Sequence, residues 1–174
     1  MSIDPWDTEL PERLALLHQL SFDIEEGYDF EPYTRFLTAE DTAQWLQAWS
    51  GNPHATGAQF RVFGQDGTGG YAAFWMVLPQ TPIEHQPIVF LGSEGESGVI
   101  ARDLDDFLWL LAGGVGPREA LDYPQVNATP NAAFQAFAYQ HAHSREQSVF
   151  EVIDNAHLTY PGFTEELERL CHPE

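Results

Sequence analysis

The sequence predicts an α+β fold in a single domain, with a mostly antiparallel sheet in the middle of the chain and helices at both ends. Three observations carry this. Apolar residues recur at helical spacing before residue 50 and again after residue 102, whereas residues 60–101 hold short aromatic and β-branched runs separated by turns. The loops joining these runs are about ten residues or fewer, too short for the crossover of a parallel pair. The 174 residues, 43% of them apolar, suffice for one core, and no linker, repeat or low-complexity tract divides them.

In "TELPERLALLHQL", Leu10, Leu14, Leu17 and Leu20 fall on one helical face, with Thr8 as the expected N-cap and Pro11 in the first turn. The acidic, aromatic "SFDIEEGYDFEPY" reads as a loop punctuated by Gly27 and Pro32. A second helix is expected from Thr38, with Asp41 completing a capping-box pattern and Ser50-Gly51 as its stop; Thr42, Trp45, Leu46 and Trp49 then share a face. Strands are expected over 60–63, 71–78, 87–92 and 99–101.

Helices resume at "RDLDDFLWLLAGG", where Leu104, Phe107, Leu108 and Leu111 form a buried stripe. Its three aspartates crowd the positive helix end, and Gly113-Gly114 stop it. A further helix is expected with Thr129 as cap, Pro130 first, and Phe134, Phe137, Ala138 and His141 on one face. Segments around 145–156 and 164–171 also read as helical. The organisation is therefore N-terminal helices over about 9–50, a central block over about 60–112 and a helical extension over about 130–171.

Charge narrows the function. Against 27 Asp and Glu stand 7 arginines and no lysine, for a net charge of −20, and no third of the chain is basic. A nucleic-acid groove or an anionic membrane surface requires clustered cations, so neither is an expected partner. The acidity favours a basic partner through faster encounter, and it equally serves solubility or salt tolerance. The lone Cys171 excludes an internal disulfide, and no apolar leader or spanning run is present, so a cytoplasmic location is expected.

"GQDGTGG", residues 64–70, raises phosphate binding. Its glycines precede a strand rather than a helix, and there is no lysine to reach a phosphate. As a calcium loop it offers only Asp66 and Thr68. The expectation is a hairpin, with Gly64, Gly67, Gly69 and Gly70 as structural turn residues. His141 and His143 are two apart and diverge on a helix, and the other histidines are scattered, so no metal site, cofactor or catalytic residue is assigned. Trp45, Trp49, Trp75 and Trp109 read as core residues. Trp6, Tyr28 and Tyr33 lie among acids, the composition of a protein-contacting surface or of loops folded back on the core. The partner-contacting candidates are Tyr28, Tyr33, Asp66, Thr68, Glu94 and Glu96.

The blocks "FRVFGQDGTGGYAAFWMV" and "PIVFLGSEGESGVIARDLDDFLWLLAGG" together resemble the SUKH superfamily: a glycine-rich hairpin, an apolar strand, a second strand ending near an acidic turn, and a short strand entering a helix through Val99, Ile100, Ala101, Asp103, Leu104, Phe107 and Leu108. The resemblance covers about residues 60–112. It implies a curved sheet flanked by helices and no enzymatic activity. Bacterial members are immunity proteins that bind and block a toxin, often a nuclease or deaminase; fungal relatives regulate cell-wall synthesis. The expectation is thus a non-catalytic protein-binding module of the immunity type, its partner a basic, polymorphic toxin domain. Alternatives are a small metal- or carboxylate-dependent hydrolase and a self-associating scaffold.

Overall fold

A computed structural model of the chain describes residues 6–173; residues 1–5, the start of the acidic opening, and residue 174 lie outside the described residues. Helices α1 (Glu12–Leu17) and α2 (Ala39–Ser50) come first, with the two-residue strand β1 (Glu31–Pro32) between them. Strands β2 (Phe60–Gln65), β3 (Tyr71–Trp75), β4 (Ile88–Leu91) and β5 (Ser97–Ala101) follow, and then helices α3 (Leu104–Ala112), α4 (Ala132–His141), α5 (Val149–Thr159) and α6 (Phe163–Cys171). The strands form one antiparallel sheet in the order β1-β2-β3-β4-β5, as short connections require.

Both faces of this sheet are covered, which explains why its strands read as nearly continuous apolar runs. Ala72, Phe74, Ile88, Phe90 and Ile100 point into one core with α1, α3 and α4. Their neighbours Ala73, Trp75, Val89, Leu91 and Val99 point into a second core with Leu46 of α2 and Phe163 and Leu167 of α6. Helix α5 lies along β5 and serves both, Val152 in the first and Ala156 in the second.

Several boundaries differ from the expectations. The segment around Glu31 is not all loop: Glu31 and Pro32 pair with Gln65 and Gly64 at the sheet edge, where a proline removes no needed donor. Strand β3 stops at Trp75 rather than residue 78, because Val77 N–H turns back to the Trp75 carbonyl. Beyond it the buried Gln86 side chain takes both backbone groups of Leu78. Helix α1 starts at Glu12, with Pro11 at the N-cap position in place of Thr8 and no side-chain cap, and Leu20 lies past its end; Thr8 instead accepts from Phe36 N–H through its carbonyl. Thr38 and Gly51 bound α2 as expected. The cap of α4 is Asn131, not Thr129, because Asn131 is anchored by its own N–H to Ala112 O and its side chain accepts from Ala133 and Phe134. His143 therefore lies beyond α4. A complete capping box closes α5 through Ser148 and Glu151.

The aspartates of α3 do more than meet the helix dipole. Asp103 caps the helix through Asp106 N–H. Asp105 lies 2.6 Å from Arg13 of α1, which also reaches Glu84. Asp106, with its side chain 2% exposed, meets Arg102 at 2.7 Å and the Gln147 amide at 2.6 Å. These pairs tie α3 to α1, to the segment before β4 and to the chain leading into α5.

Candidate functional site

The antiparallel order brings the β2–β3 turn (66–70) and the β4–β5 turn (92–96) to one end of the sheet, together with the segment entering β1. Asp66 organises this end. Its Oδ1 accepts from Thr68 N–H at 2.9 Å, Thr68 Oγ1–H at 2.8 Å and Gly70 N–H at 2.8 Å. Its Oδ2 lies 3.1 Å from Arg118 Nε, and the side chain is 0% exposed. Ser93 Oγ–H donates to Thr68 Oγ1, linking the two turns, and Gly67 N–H donates to Asp29 Oδ1.

The six candidates separate on this framework. Thr68, Glu94 and Glu96 are exposed at the sheet end. Asp66 is beneath them and offers a partner no surface; it holds the turn instead. Tyr28 is also buried, packed 4.6 Å from Phe134 with its hydroxyl donating to Leu111 O, so it is a core residue. Aromatic character among acids does not distinguish it from Tyr33, which is half-buried near the surface and donates to Gln65 Oε1. Trp6 folds back, its indole N–H on Leu37 O and its ring under the Arg61 guanidinium.

Of the glycines, Gly67 and Gly69 sit in the turn, and Gly69 has φ +93°. Gly70 ends the turn so close to Phe90 and Gly92 that a Cβ would have no room. Gly64 is not a turn residue: it lies in β2 beside a bulge, with the Phe30 ring over it.

At the rim of the second core, Trp45 and Trp49, expected in the core, join Tyr71 and the partner-contacting candidate Tyr33. Trp45 and Trp49 stack at 5.9 Å, Trp45 packs 4.7 Å from Tyr71, and Tyr71 meets Tyr33 at 6.4 Å. All four rings are half-buried. They form a strip that runs from the β1 edge to the acidic turn, where Trp49 Nε1–H donates to Gly92 O at 2.7 Å. The available signal was that Trp45 and Trp49, spaced by one helical turn, share a face with the exposed Asp41.

The charge here is uncompensated. Arg13, Arg102, Arg118 and Arg169 are each committed to carboxylates of this chain, and among the described residues no arginine pairs with Glu31, Glu94 or Glu96. Also among the described residues, no group of three or more histidine, cysteine or acidic side chains could hold a metal ion, and no helix is long and apolar enough to cross a membrane.

Next to Arg118, burial pushes the Glu119 carboxyl up to about 7, with the nearby Asp29 adding to the shift and hydrogen bonds and Arg118 opposing it. The folded chain therefore holds a proton that the unfolded chain has released between pH 4.5 and about 7. Stability from this group is present below that window and is lost as pH rises through it. Glu119→Gln, which cannot titrate, is expected to gain in urea midpoint relative to the parent protein as pH rises from 4.5 to 7. A difference independent of pH would refute this assignment.

Compared with family models, curated proteins and solved structures, the chain matches none.

Proposed function

We propose that this chain is a non-catalytic protein-binding module of the immunity type, which captures and blocks a basic toxin domain. The observation that supports it most is the preorganised acidic end of the sheet. Exposed Glu94 and Glu96 belong to a turn hydrogen-bonded to the Asp66 turn, the Glu96 side chain lying back over Gly92, and no arginine among the described residues neutralises them. A surface held in place before binding loses little conformational freedom on association, and a net charge of −20 accelerates encounter with a cationic partner. The resemblance of residues 60–112 to the SUKH pattern supports the same reading.

The test reads the genes flanking this one for a secreted protein with a basic C-terminal domain, and mixes that domain, purified, with the full chain; flanking genes that encode no such domain count against the proposal. Expected are a stable complex, inhibition of the toxin, and an association rate that falls with added salt and in Glu94→Gln/Glu96→Gln. A basic neighbouring toxin that neither binds nor is inhibited would overturn the proposal.

A further inference from the structure

We propose that the strip formed by Tyr33, Tyr71, Trp45 and Trp49 is an anchoring site for arginine side chains of the partner. The inference rests on the reading that the chain binds a basic protein, and it adds both the place and the residue type recognised.

Geometry comes first. The rings are contiguous, with centroid separations from 4.7 to 6.4 Å, and each is half-buried. One flank carries Glu31, within 3.4 Å of Gln65 Nε2, the same Gln65 that accepts from Tyr33. The other flank leads through the Trp49–Gly92 hydrogen bond to Glu94 and Glu96, and exposed Asp41 precedes Trp45 by one turn. The C-terminal carbonyl end of α2, at Trp49 and Ser50, adds negative potential on that side.

Charge complementarity then selects the occupant. Apolar rings alone would suit any hydrophobic partner, but rings flanked by unpaired carboxylates suit a cation with an aromatic-compatible face. Guanidinium fits better than ammonium, because it is planar and weakly hydrated and can lie on a ring while its N–H edge reaches a carboxylate. The chain shows this contact within itself: the Arg61 guanidinium carbon lies 3.8 Å above the centre of the Trp6 ring. Half-buried aromatic anchors beside polar residues are also the composition of interface hot spots.

The test measures binding of two synthetic peptides to the full chain by calorimetry at fixed ionic strength: an alternating arginine–glycine octapeptide and its lysine counterpart. The arginine peptide is expected to bind about two- to fivefold more tightly. Trp45→Leu keeps an apolar side chain but removes the ring, and it should erase that preference while leaving the weaker, salt-sensitive binding. Tyr33→Leu, on the segment outside α2, provides the same readout if Trp45→Leu fails to fold. Equal affinities for the two peptides, or an arginine preference that survives in both folded variants, would overturn the assignment. The two proposals separate cleanly. A toxin domain that binds the parent protein and Trp45→Leu equally removes the strip and leaves the binding function. Arginine preference at the strip, with no binding of the neighbouring toxin, removes the immunity reading and leaves the strip.

Discussion

Asp66→Ala is expected to destabilise the protein by about 3 kcal/mol, which lowers the melting temperature by about 6–12 °C in a domain of this size. Two effects add. The substitution removes the acceptor for Thr68 N–H, Thr68 Oγ1–H and Gly70 N–H, and it strands Arg118 beside an apolar methyl group. The Arg118 side chain is 37% exposed and also reaches Asp122, so it can turn to solvent, which keeps the charge penalty at the low end. Asp66→Asn keeps the Oδ1 acceptor but sets an NH2 donor against the Arg118 Nε–H, so it should recover the turn's share of the lost stability and not the ion pair's. Amide exchange provides the local readout: Thr68 and Gly70 should lose protection in the alanine variant and keep it in the asparagine variant. Equal melting temperatures for the two variants would show that the ion pair, not the turn, dominates. Because the turn carries Thr68, which is bonded to Ser93 of the acidic turn, Asp66→Ala should also slow toxin association.

Gly114→Ala is expected to be at least as damaging, at about 3 kcal/mol or more. Gly114 has φ +90°, a conformation costing about 1 kcal/mol for an L residue. A Cβ there would also lie 2.0 Å from the Thr129 carbonyl oxygen. That neighbour is backbone and cannot rotate away, so the segment before α4 must move. Gly51→Ala separates the two causes: its φ is +72° with nothing within 4 Å of the added carbon, so it should lose only about 1 kcal/mol. Chemical denaturation of both variants checks this. A Gly114→Ala loss no larger than that of Gly51→Ala would mean that the Thr129 segment yields freely.

The same residues show how far local reading reaches. Thr38 and Gly51 could be recognised as the ends of α2 because a cap is satisfied within three or four residues. Thr129 and Asn131 are both competent caps, and the choice between them falls to a hydrogen bond from Asn131 to Ala112, nineteen residues away. β1 escaped notice because two residues with a proline carry no periodic signal; it exists because β2 has a free edge to pair with. Tyr28 and Tyr33 have similar acidic neighbours, yet one is sealed against Phe134 and Leu111 while the other stays near the surface. The turn dipeptide Asp66-Gly67 was plain, but the burial of Asp66 depends on Arg118 across the fold.

The antiparallel meander and its flanking helices were thus determined by the sequence itself, because strand pairing through short loops and helix periodicity are settled among residues close along the chain. Which carboxylates are buried and which are free, and which aromatics face solvent, was decided only by tertiary structure. Burial and ion pairing depend on partners that meet only when the sheet is covered on both faces, as Trp45 shows: a core residue by its helical spacing, and one of four half-buried rings at the core's rim once Tyr71 and Tyr33 lie beside it.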